Sequence, residues 1–421
     1  MTKTPTSATS APAPCTFASL GVPAPLVSAL RRQDRTEPFP IQASTLPAAL
    51  DGRDVLGRAR TGSGKTIAFA VPVAARLAAG SATRRPGRPR ALILVPTREL
   101  ANQVDATLQP LAAAMGLRSM TIFGGVGQGP QVAALRRGVD ICVATPGRLE
   151  DLIGQRHLSL GSIEVTVLDE ADHMADLGFL PAVRRLLDQT PRGTQRLLFS
   201  ATLDGQVDVL VRRYMTDVVV HHVDEPRSAV PEMSHRLLTV NAQDKSAVVH
   251  ELLAGEPRTL AFTRTKHAAR KLAQRLTAAG IPSADLHGNL SQPARTRNLA
   301  AFHDGSVRVL VATDIAARGI HVDDVGLVVH VDPPAEHKAY LHRSGRTARA
   351  GNAGSVVTVA TLEQRSAVRS LLRSAQVSAV EEHRGSDPAP PGAEAARPGP
   401  EMRAPGNRRS SGGQRRRRST R

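Results

Sequence analysis

Apolar residues come in two kinds of run along this chain. Short unbroken runs occur at Asp54–Ala59, Ala91–Pro96, Asp140–Thr145, Val165–Glu170 and Gln195–Ser200. They do not alternate with polar positions, which is the pattern of strands buried on both faces. Between them lie stretches of helical spacing, such as Lys65–Ala79 and Pro181–Gln189. Strand and helix in repetition predict a parallel, doubly wound sheet. The pattern breaks at 222–231, HVDEPRSAVP, which reads as a linker. A second series follows at Thr259–Thr265, Arg308–Asp314, Gly326–Asp332 and Ser355–Ala360, with an amphipathic helix at 268–280 stopped by Gly280.

The chain therefore predicts two α/β domains, 15–223 and 233–383, joined by a linker at 224–232. Their 421 residues suit that number, since a domain takes roughly 150. Residues 1–14 are rich in Thr, Ser, Ala and Pro and predict disorder. They hold no apolar run, so no secretory signal is expected, and no run of about 18 apolar residues predicts a membrane span. Two cysteines, Cys15 and Cys142, exclude a disulfide framework and a cysteine-built zinc site. A reducing cytoplasm fits best.

Charge changes the picture. Lys and Arg number 55 against 37 acids, a net +18, which points to a polyanionic partner. Eight Phe, two Tyr and no Trp argue against an aromatic platform for bases, so a nucleic acid would be held by its backbone. Residues 384–421 form a tail rich in Pro, Gly, Ser and Arg, with Arg415–Arg418 unbroken. It reads either as a solubilising segment or as an electrostatic tether for nucleic acid. Much Ala, Arg and Gly with little Lys is a composition that GC-rich bacterial genomes produce.

The first chemistry lies at 59–66, ARTGSGKT, with the spacing of a Walker A loop. Gly62 and Gly64 let backbone N–H groups converge on phosphate oxygens, with Thr61 and Ser63 between and beside them. The helix that starts near Lys65 points its positive end at the same anion. Lys65 reaches the terminal phosphates and the Thr66 hydroxyl can ligate Mg²⁺. Asp169 and Glu170 end a buried run, and adjacent buried carboxylates need a cation to balance them. Asp169 would hold Mg²⁺, and Glu170 would accept a proton from an attacking water.

Asp169-Glu170-Ala171-Asp172 spells the motif of the DEAD-box RNA helicases, and the chain resembles that family in motif order from Phe17 to about Gly351. The resemblance implies two RecA-like domains, each a mostly parallel sheet flanked by helices, with ATP and RNA in the cleft between them. PFPIQ at 38–42 resembles the Q motif, where Gln42 would read adenine and Phe17 would pack on the base. The family's Gly–aromatic pair is replaced here by Asp34-Arg35. PTREL (96–100), Gly124-Gly125 and TPGR (145–148) resemble its RNA-binding segments, implying phosphate contacts from Thr97, Arg98, Thr145 and Arg148 and a close backbone approach at Gly125. SAT (200–202) implies that Ser200 and Thr202 bond the Asp172 segment and couple nucleotide to domain closure.

In the second half, AFTRTK (261–266) places Thr263 at RNA, and HGNLSQPAR (287–295) carries Gln292 and Arg295 at matching positions. VATDIAARGI (311–320) implies RNA contacts from Thr313, Arg318 and Gly319, while His321 stands where the family has Asp, which leaves the ribose contact to Asp323 or to none. HRSGRTAR (342–349) implies that Arg346 and Arg349 act on the γ-phosphate, with His342 bridging to the DEAD loop. The resemblance implies an RNA-dependent ATPase that opens short duplexes, with ATP and Mg²⁺ as cofactors. An ATP-gated RNA clamp and a DNA-directed translocase are the other readings of the same residues. Ribosomal or RNA-decay proteins are candidate partners, no membrane is involved, and a monomer is the default.

Overall fold

The computed structural model describes residues 15–59, 62–202, 205–223, 233–255, 257–317, 325–348 and 353–384. The linker at 224–232, residues 1–14 and the tail beyond 384 lie outside the described residues.

The first half holds strands β1 (Val55–Arg58), β2 (Ala91–Leu94), β3 (Ser119–Ile122), β4 (Ile141–Ala144), β5 (Val165–Asp169), β6 (Gln195–Ser200) and β7 (Val219–His222). Its helices are α1 (Ala24–Arg31), α2 (Pro40–Leu50), α3 (Lys65–Ala79), α4 (Arg98–Ala114), α5 (Gly129–Arg137), α6 (Pro146–Gly154), α7 (Ala171–Asp176), α8 (Leu180–Leu187) and α9 (Gly205–Tyr214). The second half holds β8 (Met233–Val240), β9 (Thr259–Phe262), β10 (Ser283–Leu286), β11 (Val309–Ala312), β12 (Leu327–His330), β13 (Gly354–Thr361) and β14 (Val380–Arg384). Its helices are α10 (Lys245–Ala254), α11 (Lys266–Ala278), α12 (Gln292–His303), α13 (Asp314–Ala317), α14 (His337–Ser344) and α15 (Arg365–Ser374).

Each half is one seven-stranded sheet, ordered β3-β4-β2-β5-β6-β1-β7 and β10-β11-β9-β12-β13-β8-β14. Neighbouring strands pair in parallel in both. The unbroken apolar runs have a direct cause. In β2, Ala91 and Ile93 enter one hydrophobic core while Leu92 and Leu94 enter another on the opposite face. In β9, Leu260 and Phe262 face one core and Ala261 the other. Helices cover both faces of each sheet, so β2, β4, β5 and β6 in the first and β9, β11 and β12 in the second are buried throughout.

The nine predicted runs correspond to β1, β2, β4, β5, β6, β9, β11, β12 and β13. The helix expected at Lys65–Ala79 is α3 to the residue, and that at 268–280 is α11, with Gly280 at φ +81° beyond its end. Five strands were not legible in the sequence: β3, β7, β8, β10 and β14. Four of them are sheet edges and β8 lies next to one. Edge β14, Val-Glu-Glu-His-Arg, is mostly exposed, β3 alternates half-buried with buried positions, and β7 alternates half-buried with exposed ones. Arg384, which composition assigns to the tail, closes β14.

Parallel strands put all their carboxyl ends along one edge, where α/β folds bind ligands. The order β2-β5-β6-β1 therefore brings residues 97, 169, 200 and 65 together from distant parts of the chain.

Candidate functional site

The phosphate loop ends β1 and opens α3. Gly62 and Gly64 take φ +92° and +86°, the left-handed region that other residues avoid. A Cβ at Gly64 would overlap the Gln42 amide and lie 2.6 Å from Phe39 Cδ2. Lys65, 7% exposed, donates from Nζ to the Ala59 carbonyl at 2.7 Å. Thr66 stands in the first turn of α3, partly exposed, beside the half-buried Ser63 loop. Thr61 lies outside the described residues.

Gln42 works as a brace. Its Oε1 accepts from Phe39 N at 2.9 Å and its Nε2 donates to the Gly64 carbonyl at 2.9 Å. Both ends of the amide are thus engaged by the chain itself. Phe17 is 2% exposed and belongs to the core with Val22 and Leu26. The aromatic side chain presented beside Gly64 is Phe39, 56% exposed. Phe39 lies within PFPIQ, and the motif alone assigns it no role. Its signal was a large apolar residue between two prolines. Asp34 takes φ +57°, a conformation that Asp tolerates better than most, so the missing glycine is accommodated. Arg35 is partly buried, with Nη1 lacking a partner.

Asp169 and Glu170 sit where β5 meets α7. Burial pushes the Asp169 carboxyl up to about 7, with the Lys65 charge pulling the other way and Glu170 adding to the rise. Burial acts on Glu170 too, but it is outweighed by the hydrogen bond and charge of His173, then by Arg346 and Lys65, which hold it at about 2. His173 Nδ1 lies 3.1 Å from Glu170 Oε2. Glu170 adopts φ +52°, a strained conformation for a non-glycine that the surrounding contacts must maintain. His173, 4% exposed, was missed in the sequence because a single histidine after four motif letters carries no periodic signal.

Asp172, Ser200 and Thr202 are brought together as expected. Thr202 donates from both N and Oγ1 to Asp172 Oδ2 at 2.9 Å, Asp172 N donates to Ser200 Oγ at 3.3 Å, and Ser200 Oγ donates to the Thr202 carbonyl at 2.7 Å. Arg346, from the second half, is 5% exposed, and its charge lowers the Glu170 carboxyl. His342 and Arg346 line one small cavity with Phe262, Asp314 and Arg343. Arg343 forks onto Asp314 at 2.5 and 2.6 Å and lies over the Phe262 ring at 5.0 Å, so it ties three segments of the second half to one another. Arg349, Arg318, Gly319, His321 and Asp323 lie outside the described residues.

Farther along the same edge, guanidinium groups gather. Arg98 feels the charges of Arg295 and Arg148. Gly125, at φ +75°, leaves room for the Arg98 guanidinium, which a Cβ there would overlap. Arg148 donates Nη1 and Nη2 to the Val126 carbonyl at 3.2 Å. The Thr97 hydroxyl caps α4 by accepting from Leu100 N at 3.2 Å, while the Thr145 hydroxyl makes no such cap at α6. Thr313 is partly exposed at the end of β11. Thr263 is 1% exposed and its hydroxyl donates to the Thr265 carbonyl, so it supports its own turn.

The two halves also meet through a buried polar cluster. Glu99 Oε1 accepts from Arg295 Nε at 2.7 Å and from Gln292 Nε2 at 3.1 Å, and Arg98 Nη1 donates to Gln292 Oε1 at 3.2 Å. Glu99, Gln292 and Arg295 are each under 9% exposed. Burial would raise the Glu99 carboxyl, but Arg295 and Gln292 bring it below the usual carboxylate range. The sequence marked Gln292 and Arg295 without assigning them a contact, and passed over Glu99.

A family model described as DEAD/DEAH box helicase matches residues 39–210, and one described as helicase conserved C-terminal domain matches 244–351. The chain is 42% identical over 352 residues to the ATP-dependent RNA helicase RhlB of Xanthomonas campestris, covering 82% of this chain and 61% of that protein. It is 41% identical over 365 residues to the chloroplastic DEAD-box ATP-dependent RNA helicase 3B of Zea mays, covering 85% and 49%. The chain thus spans about half to three-fifths of these curated relatives. Its structure is similar to that of S. cerevisiae Dbp5 bound to RNA and ADP BeF3, with TM-score 0.74 and 27% identity over 87% of this chain and 95% of that one. The two parallel sheets are therefore RecA-like domains, and the chain belongs to the DEAD-box helicase family.

Proposed function

We propose that this protein is an ATP-dependent RNA helicase that hydrolyses ATP in the cleft between its two RecA-like domains and so opens short RNA duplexes. The observation that carries the reading is the gathering of Lys65, Asp169, Glu170 and Ser200 at the carboxyl ends of the first sheet, with the charge of Arg346 from the second half acting on Glu170. Hydrolytic machinery split in this way works only when the halves close.

The site suits a magnesium nucleotide. A carboxyl pushed up to about 7 by burial, beside a buried ammonium, is a place where a divalent cation restores the ionised form. Thr66 and Asp169 would hold that Mg²⁺, which supplies charge neutralisation on the phosphates. Gly62, Ser63, Gly64 and Lys65, with Thr61, would cradle the phosphates, and Gln42 and Phe39 would border the base above a core that includes Phe17. Glu170 is ionised throughout the physiological range. Held at about 2, it is a weak base, so it orients the attacking water and accepts a proton only as the bond to phosphorus forms. Arg346 and Arg349 would meet the charge that develops on the transferred group.

The gathered guanidiniums of Arg98 and Arg148, with Thr97, Thr145 and Thr313, support backbone contacts to RNA, to which Arg318 and Gly319 would add and for which Thr263 is a supporting residue. Contacts of this kind read little sequence. RNA and ATP both favour closure, so each should tighten the other's binding by the same factor. The domains run over 15–223 and 233–383 on this reading, and the chain is a cytoplasmic monomer of bacterial type whose arginine tail tethers RNA.

The buried Glu99–Arg295 cluster favours a second reading, an RNA clamp that stays shut with little unwinding. One experiment separates these: ATP hydrolysis is followed without nucleic acid, with single-stranded DNA and with structured RNA, alongside duplex release. Stimulation by RNA alone with strand release is the expected result. Retention without release selects the clamp, and equal stimulation by DNA overturns both.

A further inference from the structure

The amino ends of the strands in the first sheet carry a cluster of arginines that the cleft does not use. Lys65, Thr97, Thr145, Asp169 and Ser200 all lie at carboxyl ends. The segments entering β2, β3, β4 and β5 come in at the opposite edge; their loops bear Arg85, Arg88, Arg118 and Arg156, the last turn of α5 bears Arg136 and Arg137, and all six are exposed.

These loops are tied into one surface. Arg85 and Arg88 pair across an antiparallel bridge. Between them Gly87, at φ +62°, donates its N–H to the Leu135 carbonyl at 2.9 Å and accepts from Ser159 N at 2.9 Å. Arg84 runs beneath, with Nε on Asp140 Oδ2 at 2.7 Å and Nη2 on the Gly116 carbonyl at 2.9 Å. The same Asp140 oxygen accepts from Arg118 N at 2.8 Å. So the segments at 84–88, 116–118, 135–140 and 156–159 hold one another in place.

The acids on the segments entering these four strands are already taken. Asp140 is 2% exposed and engaged by Arg84, and Glu164 is forked by Arg90 at 2.6 and 3.2 Å. None of the six exposed arginines makes an ion pair or side-chain hydrogen bond among the described residues. A cation at the end of α5 suits the helix dipole and explains Arg136 and Arg137. It does not explain Arg85, Arg88, Arg118 or Arg156, which stand outside helices. Arg156 is even kept at φ +61°, where glycine would cost about 1 kcal/mol less.

The occupant follows from what the face lacks. A protein interface needs an apolar centre, and the exposed large hydrophobic residues, such as Phe39, Val209 and Leu362, lie on other segments. No aromatic residue stands among these arginines to stack a base. Planar, permanently charged forks on a fixed surface match phosphate oxygens. We propose that this edge of the first domain is a second RNA-backbone site, which holds the helical flank of a long or folded RNA while a single strand occupies the cleft. The proposal rests on the cleft being an RNA site.

The test uses the full chain and the variant Arg85→Gln/Arg88→Gln/Arg136→Gln/Arg137→Gln, which removes exposed charges that make no ion pair or side-chain hydrogen bond among the described residues. Binding is measured over a salt series with a single strand of about ten nucleotides and with that strand extended by a stem of about 16 base pairs. On the extended RNA, the slope of log affinity against log salt should shrink by about 3, from four phosphate contacts at roughly 0.7–0.9 each. The short strand should bind and stimulate hydrolysis as before. An unchanged slope on the extended RNA overturns the proposal, and so does an equal loss on both RNAs, which would put the effect in the cleft. Loss of polyglutamate binding with RNA binding intact would make this an acidic-protein surface and also overturns it. Hydrolysis by the unmodified chain that ignores both RNAs would sink the cleft reading, while the slope would still decide this one.

Discussion

The two domains contribute opposite things to the cleft. The first domain supplies the acids and satisfies most of them itself. Asp172 is spent on Ser200 and Thr202, and Glu170 is held by His173. The second domain supplies guanidiniums, Arg346 toward Glu170 and Arg295 onto Glu99. At the nucleotide end the first domain is nearly complete alone. At the Glu99 end it is not, because a carboxylate 8% exposed needs its cation from across the gap. On the proposed reading closure is optional for holding a nucleotide and obligatory for burying Glu99, so the chemistry and the grip between domains should break separately.

The largest effect should come from Arg346→Ala. Hydrolysis should fall by about 10³–10⁵-fold while the first domain still binds ATP, and equilibrium nucleotide binding beside steady-state turnover checks both halves of that statement. Glu170→Gln should lower turnover by about 10²–10⁴-fold and trap ATP with RNA. Turnover near the unmodified rate would remove Glu170 from the chemistry. Arg295→Ala strands Glu99 and should cost the closed form about 3–5 kcal/mol. RNA affinity in the presence of a non-hydrolysable ATP analogue should then drop a hundredfold or more, with nucleotide affinity in the absence of RNA little changed. The double variant Glu99→Leu/Arg295→Met should recover much of that loss, since removing both charges is far cheaper than removing one.

The smallest effect is that of pH. Arg295 and Gln292 hold the Glu99 carboxyl below its ordinary value. A group depressed on closure stabilises the closed form above its ordinary pKa, about 4.3, and the gain is lost as pH falls through the depressed value. The coupling between ATP and RNA through Glu99 should stay flat from pH 8 down to about 5 and fade only below that. A midpoint near neutrality in the RNA affinity measured with the analogue would assign the coupling to a histidine instead.

The strands show how far a one-dimensional pattern reaches. Nine strands announced themselves because helices cover both faces, so most of their residues are buried and apolar. β3, β7, β10 and β14 did not, because an edge strand has fewer covered neighbours and can carry Ser, His or Glu. The site divides in the same way. Lys65, Asp169, Glu170, Ser200 and Arg346 were marked by motif spacing, which depends on neighbours a few residues away. Phe17 and Phe39 were not told apart, because only packing decides which ring is buried in the core and which is exposed beside Gly64. Gln42 carries an amide that suits adenine in one dimension and spans Phe39 and Gly64 in three.

The sequence by itself determined two doubly wound sheets, a phosphate loop, a pair of carboxylates and an arginine-bearing second half, because hydrophobic period and motif spacing are local quantities. Only the tertiary structure decided that Glu99 meets Arg295, that His173 governs Glu170 and that the arginines of four loops share one face. Those contacts join residues far apart along the chain or turned toward each other by a single strained dihedral. They exist only because parallel strands collect their carboxyl ends on one edge and their amino ends on the other.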